Sequence, residues 1–215
     1  MPTSAEIRAR ARESLAGNWK YPVLHFLVYY LIVSGAGVVS YIPFIGWIVP
    51  MLLAGTLTFG LYSYYLIFSR RGTPTINDLF SGFERFGTTL ALYLLMGLFV
   101  FLWTLLLIIP GIIAGFRYSQ AYFILKDNPQ IGALEAIRRS KALMAGHKGR
   151  LFVLMLSFIG WYIVGMLTCA IGFLWIAPYY YTALAHFYND LTGRSVIMPP
   201  PPPPPSPYDG ILAKQ

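Results

Sequence analysis

Three long apolar blocks limit what this chain can fold into. They span residues 23–68, 88–125 and 151–188. Each block is roughly twice the length of about 20 residues that crosses a bilayer once. Each also carries proline or glycine near its middle, within residues 41–47, 108–113 and 169–175. Because these residue types interrupt helices, each block is predicted to fold back on itself as a helical hairpin.

Three such hairpins make six membrane-spanning helices. The predicted spans are residues 23–41, 48–68, 88–109, 111–125, 151–171 and 173–188. Composition agrees, since 57% of the residues are hydrophobic and only 11% are charged, which is unlike a soluble domain. The predicted fold class is therefore all-α, a polytopic membrane helical bundle. It occupies residues 1–191, and residues 192–215 form a separate proline-rich tail.

The distribution of charge orients the hairpins. With six spans, every charged residue except Arg117 falls on one face, together with both termini. A four-span alternative would place the basic loop around Arg138 opposite the N-terminal arginines, which the positive-inside rule disfavours. Both termini are therefore predicted to be cytoplasmic, in a cytoplasmic membrane. The net charge of +8 then faces anionic lipid, and since no nucleic-acid motif accompanies it, no nucleic-acid partner is expected.

A short amphipathic segment precedes each hairpin. The predicted amphipathic helices are residues 5–16, 75–86 and 130–145, ended by Gly17, Gly87 and Gly146. The similar stretches "SLAGNWK" and "LMAGHK" close the first and third of them, and "WIVP" and "WIAP" follow the first and third turns. These echoes indicate an internal repeat. All three helices are predicted to lie along the cytoplasmic surface.

Two groups of residues are candidate sites. The first comprises the candidate anionic-lipid contacts of the third amphipathic segment: Arg138, Arg139, Lys141 and Lys148. The second is a candidate polar intramembrane site: Arg117, Tyr118, Ser119 and Gln120. Two interpretations of Arg117 stay open, because its side chain can snorkel to an interface or face the bundle interior and bind an anionic group.

Nothing in the sequence predicts catalysis. His25, His147 and His186 fall in different segments, and the single cysteine, Cys169, cannot build a metal site alone. No catalytic residue, metal ligand, cofactor or enzyme activity is therefore expected. The prediction is a non-catalytic scaffold, accessory or bilayer-modulating protein. The alternative is a small transporter or lipid-moving protein that uses a polar path near Arg117.

The proline run that begins at Pro199 is predicted to form an extended polyproline helix. Such a helix is either a spacer or a ligand for an aromatic groove. Membrane lipids are the expected partners. A protein that binds the cytoplasmic face or this tail is the second kind of partner that the sequence suggests. The oligomeric state stays open.

Several stretches together resemble a bacterial integral-membrane family catalogued as domain of unknown function 975. They are "IRARARESLAGNW", "DLFSGFERFG", "IIPGII", "DNP", "ALEAIRRSKALMAGHK", "LSFIGW", "LWIAPYY" and "AHFYNDL", which lie within residues 7–191. The family is similar to the membrane portions that accompany some glycerophosphodiester phosphodiesterases, whose catalytic domain is absent from this sequence. The resemblance thus implies a membrane fold and no activity.

Overall fold

The computed structural model describes residues 2–39, 45–168 and 171–194, which form helices and turns with no β-strand. The helices are α1 (Ser4–Leu15), α2 (Lys20–Val39), α3 (Ile45–Ser69), α4 (Phe86–Leu106), α5 (Ile108–Tyr118), α6 (Ala121–Asp127), α7 (Ala133–Leu143), α8 (Lys148–Leu156), α9 (Ile159–Leu167) and α10 (Phe173–Leu191). Most of the first predicted turn, Cys169 and the proline run lie outside the described residues.

Five segments of the described chain are long and apolar enough to cross a membrane. They are Lys20–Val38, Ile48–Ser69, Ile76–Leu106, Ile108–Asp127 and Lys148–Leu167. The sixth predicted span is present as the helix α10 but is not among them. Residues 182–189 of α10 are all buried, and α10 packs against α1, α2, α3 and α9. A helix enclosed by protein in this way can carry polar and tyrosine side chains that lipid would exclude.

The buried core lies toward one end of the bundle. It contains most of residues 57–66 of α3, all of residues 121–125 of α6 and the C-terminal half of α10. Toward the other end, the helices expose leucine and isoleucine, as at Leu106 (67% exposed) and Leu167 (78% exposed). Apolar side chains exposed over so many neighbouring helices are typical of contact with lipid.

Two of the three predicted amphipathic helices are confirmed. In α1, Ile7, Ala11 and Leu15 are buried, and Thr3 and Glu6 form a capping box at its start. In α7, which is shorter than predicted, the buried face is Ala133, Ala136, Ile137 and Ser140. Gly17 and Gly146 follow these helices with φ of +77° and +78°. These left-handed angles are the reason that glycine ends each helix.

The second predicted amphipathic helix is wrong. Residues 75–86 contain two short 3₁₀ segments, Ile76–Phe80 and Phe83–Arg85, and Gly87 lies inside α4 rather than ending a helix. Local side-chain hydrogen bonds compete with an α-helix here, because Asp78 accepts from the Thr75 N–H at 2.7 Å and the Ser81 hydroxyl donates to the Asp78 carbonyl at 2.7 Å. The segment packs directly against α3.

Two of the predicted spans are interrupted. The fourth breaks between α5 and α6 at Ser119 and Gln120, and the fifth breaks between α8 and α9 at Ser157 and Phe158. In both breaks the serine hydroxyl donates to a carbonyl three residues earlier, Phe116 at 2.9 Å and Leu154 at 2.6 Å. Such back-bonding favours a bend in a helix.

Candidate functional site

A polar network at the well-packed end of the bundle is centred on Asp127, the last residue of α6. Arg70 donates from Nη1 and Nη2 to the two carboxylate oxygens at 2.6 and 2.8 Å. Arg194 Nη1 and the Tyr188 hydroxyl donate to Oδ2 at 2.6 and 3.0 Å. Only 6% of the Asp127 side chain is exposed. The carboxylate is thus buried with charged partners, which is the arrangement that makes its burial tolerable.

The network continues into α10 and α3. Arg70 Nε donates to Asn189 Oδ1 at 2.9 Å, and Asn189 Nδ2 donates to the Ser69 hydroxyl at 2.9 Å. Ser69 in turn donates to the Leu66 carbonyl at 2.8 Å. These bonds fix the C-terminal ends of α3, α6 and α10 against one another.

A second set of contacts attaches α1 and α8 to the same end of α10. Arg150 Nη2 donates to Asp190 Oδ2 at 2.7 Å and to the Pro2 carbonyl at 3.0 Å. Its guanidinium lies 5.5 Å from the Phe187 ring centroid, within cation–π range. Ser14 Oγ and His186 Nε2 are 2.9 Å apart. Five helices therefore meet in one polar layer.

The sequence analysis did not identify this layer, because the partners of Asp127 and Asp190 lie far away along the chain. Asp127 is 57 positions from Arg70 and 67 from Arg194. The only available signal was that "DNP" and "AHFYNDL" belong to the stretches that carry the family resemblance. Nothing in a single sequence states which of the many arginines such a carboxylate meets.

The predicted intramembrane site lies at the break between α5 and α6. Tyr118 and Gln120 are buried, and Arg117 and Ser119 are half-buried. Ser140 of α7 donates to the Arg117 carbonyl at 2.8 Å and accepts the Gln120 N–H at 3.2 Å. The break is therefore held by α7.

The side chains at that break are less fully bonded than the backbone. Gln120 Nε2 donates to the Ser119 hydroxyl at 2.9 Å, while Gln120 Oε1 has no hydrogen-bond partner among the described residues. Arg117 forms no ion pair within the described part of the chain.

The predicted anionic-lipid residues divide between two helices. Arg138, Arg139 and Lys141 are exposed on α7, whereas Lys148 is the half-buried first residue of α8. Arg138 and Arg139 share one carboxylate, Glu135, at 3.4 and 2.9 Å. The exposed face of α7 thus keeps a surplus of positive charge beside the buried face that docks on the bundle.

Two cavities lie at this end of the molecule. A small one of about 230 Å³ borders the Asp127 network and Arg139. A larger one of about 650 Å³ lies between the end of α1, the start of α2 and the loop that follows α3. Arg117 lines neither of them. Within the described ranges, no three histidine, cysteine or carboxylate side chains come together as metal ligands would.

Comparisons with known proteins place the chain in one family. No curated protein and no solved structure matches it significantly. The profile of a family described as protein of unknown function (DUF975) matches residues 1–112 and residues 104–195. The two matches together cover nearly the whole chain, so the protein belongs to the DUF975 family.

Proposed function

We propose that this protein is a non-catalytic, multi-pass membrane protein whose polar end is a rigid platform for anionic lipid. The observation that carries the proposal is the docking of α7. Its buried face holds the break between α5 and α6 through Ser140, and this contact directs Arg138, Arg139 and Lys141 outward. A fixed row of cations at the end of a membrane bundle is the arrangement that attracts anionic headgroups.

The platform requires a topology of six spans with both termini in the cytoplasm of a bacterial cell. Support comes from the polar layer, where the ends of α3, α6 and α10 meet the start of α8. When the ends of some helices and the starts of others lie in one layer, successive helices cross the membrane in opposite directions and form hairpins. The 19 residues of α10 span about 28 Å at roughly 1.5 Å per residue, which is close to the thickness of a hydrocarbon core.

Cysteine labelling tests this topology. In a Cys169→Ser background, we expect Thr168→Cys to react with a membrane-impermeant maleimide in intact cells, because it lies at the end of α9 away from the polar layer. Ala145→Cys, exposed after α7, should react only once the cells are permeabilised. Labelling of Ala145→Cys from outside intact cells would refute the six-span topology.

Lipid binding tests the platform itself. We expect the quadruple replacement of Arg138, Arg139, Lys141 and Lys148 with glutamine to lower the preference of the purified protein for anionic over neutral vesicles by at least about tenfold. The reason is that each basic residue near an anionic surface contributes up to about 1 kcal/mol. The measurement is co-flotation with vesicles at fixed ionic strength.

The matched control for this test keeps the charge and changes the side chain. A double variant, Arg138→Lys with Arg139→Lys, should retain the preference, because α7 still presents the same number of cations. If the quadruple variant retained it too, α7 would not be the lipid-binding surface.

Transport through a polar path near Arg117 is the weaker candidate. The backbone groups freed by the break at Ser119 and Gln120 are bonded to Ser140 on the side that faces α7. Neither cavity at the polar end extends to Arg117. The contacts at this break therefore favour packing between helices over a path for a substrate.

A further inference from the structure

The larger cavity, of about 650 Å³, has the size of a ligand-binding site. Pockets that hold small molecules measure about 300–1,000 Å³. Its walls come from three helices and the loop after α3, and the side chains that matter for binding are Glu13, Ser14, Tyr21, Tyr64, Phe68 and Arg71. The wall residues of α1 and the loop are mostly polar, and those of α2 and α3 are aromatic.

The cavity lies at the depth of lipid headgroups. Tyr21 is the second residue of the candidate span Lys20–Val38, and Phe68 is the last but one of Ile48–Ser69. Both residues line the cavity, so it is level with the ends of two spans. Tyr21 is also 63% exposed on the outer surface of α2. A molecule in the cavity can therefore keep its apolar part in the bilayer beside α2.

The cavity presents one carboxylate and one guanidinium. Glu13 and Arg71 are both exposed, and neither forms an ion pair with another residue of the described ranges. Elsewhere at this end of the molecule, Asp127 and Asp190 are each paired with arginine. Two unpaired charges of opposite sign in one cavity match a ligand that carries both an anion and a cation.

The backbone at Arg71 has a left-handed conformation that ends α3. Arg71 has φ of +59°, and it is the only non-glycine residue of the described chain with a positive φ. Left-handed geometry costs an L-residue roughly 1–2 kcal/mol, and glycine, which follows directly at Gly72, would avoid that cost. The angle belongs to the Schellman cap that ends α3, in which the Arg71 N–H donates to the Phe68 carbonyl at 3.0 Å and the Gly72 N–H donates to the Ile67 carbonyl at 3.0 Å. This cap fixes the point at which the Arg71 side chain leaves the backbone beside the cavity.

One aromatic wall of the cavity, Tyr21, is exposed and suits a cation. Tyr64 is only 2% exposed and its ring stacks on buried His25 with centroids 3.6 Å apart, so it closes the wall without offering a free ring face. Tyrosine faces attract ammonium groups, most strongly where water is excluded. Glu13 and Tyr21 thus form a subsite for a cation, and Arg71 forms a subsite for an anion.

We infer that this cavity binds the headgroup of a zwitterionic phospholipid, with the phosphate at Arg71 and a primary ammonium at Glu13. A purely anionic headgroup would bring uncompensated negative charge toward Glu13, and a purely cationic one would approach Arg71. The cavity therefore selects against both. This site uses different residues from the α7 platform and goes beyond the function proposed above.

The test compares lipids that share acyl chains and differ only in headgroup. The protein, with Arg138, Arg139, Lys141 and Lys148 each replaced by glutamine so that α7 no longer binds anionic lipid, is purified in detergent and titrated with phosphoethanolamine-headed and with phosphoglycerol-headed diacyl lipid. Bound lipid is counted by native mass spectrometry. We expect about tenfold tighter binding of the phosphoethanolamine lipid, since it alone makes the additional charged contact at Glu13. Soluble glycerophosphoethanolamine is titrated in parallel. This titration shows whether the cavity binds a lipid or a headgroup that carries no acyl chains.

Three variants assign the two subsites. Glu13→Gln should remove the preference between the two lipids. Arg71→Gly, which suits the left-handed backbone, should weaken both by about tenfold, and Arg71→Lys should retain most of the binding. Glu84→Gln, an exposed carboxylate away from the cavity, is the matched control and should change neither affinity. Circular dichroism confirms that each variant is folded.

Three results would overturn the inference. Equal affinities for the two lipids in the protein that keeps Glu13 and Arg71 would exclude selection of a zwitterion. Unchanged affinities in folded Glu13→Gln and Arg71→Gly would exclude the cavity. Binding of the soluble headgroup as tightly as the lipid would overturn the assignment to a lipid. Because α7 carries the same four glutamine substitutions in every sample, none of these results bears on the anionic platform.

Discussion

Asp127→Ala is expected to lower the free energy of unfolding by about 3–5 kcal/mol, the usual cost of removing one partner from a buried ion pair. The carboxylate accepts hydrogen bonds from Arg70, Arg194 and Tyr188. Its loss leaves Arg70, whose side chain is only 28% exposed, without its counter-ion at the junction of three helices. Most of the lost free energy of unfolding comes from leaving the Arg70 guanidinium buried without a counter-ion. The lost attraction between Arg70 and Asp127 contributes less.

The measurement is thermal or denaturant unfolding of the purified protein in one detergent. Glu135→Ala is the matched control, since it also removes a carboxylate shared by two arginines, Arg138 and Arg139. There the carboxylate is 37% exposed and water can replace it, so a loss below about 1 kcal/mol is expected. Adding Arg70→Ala to Asp127→Ala should recover part of the stability, because it removes the stranded guanidinium. Equal losses for Asp127→Ala and Glu135→Ala would show that the polar layer does not hold the helices together.

The lengths of the apolar blocks and the helical periodicity were enough to predict most of the helices. The blocks predicted the long apolar helices, and the positions of Ile7, Ala11 and Leu15 predicted the buried face of α1. These features depend on residues close in sequence, so one chain suffices to predict them. α10 was predicted from its place in a block, although His186, Asn189 and Asp190 make it less apolar than the five candidate spans.

Features that depend on distant contacts could not be predicted. The partners of Asp127 come from residues 57 and more positions away, and the cavity at Glu13 and Arg71 exists only once α1, α2 and α3 have packed. Periodicity also misled at residues 75–86, because apolar residues three apart fit a 3₁₀ helix as well as one face of an α-helix. The close approach of residues 75–86 to α3 is what favours the 3₁₀ segments over an α-helix.

That close approach depends on two glycines. A Cβ added at Gly60 of α3 would overlap the backbone carbonyl of Leu79, and one added at Gly82 would overlap the carbonyl of Thr56. Both obstacles are backbone atoms, so no change of rotamer relieves them. Leu79 and Thr56 are also completely buried, which leaves no free space for the segment to shift.

Gly60→Ala and Gly82→Ala are each expected to destabilise the protein by about 3 kcal/mol or more, at the upper end of the cost of overpacking. The direction is informative, because alanine in place of a helical glycine normally stabilises by up to about 1 kcal/mol. Gly97→Ala in α4 is the matched control, since its Cβ would meet no atom within 4 Å, and it should be neutral or stabilising. The same unfolding measurement compares all three. If Gly60→Ala behaved like Gly97→Ala, the 3₁₀ segments would not pack on α3, and residues 75–86 would instead lie along the membrane surface as their periodicity alone predicts.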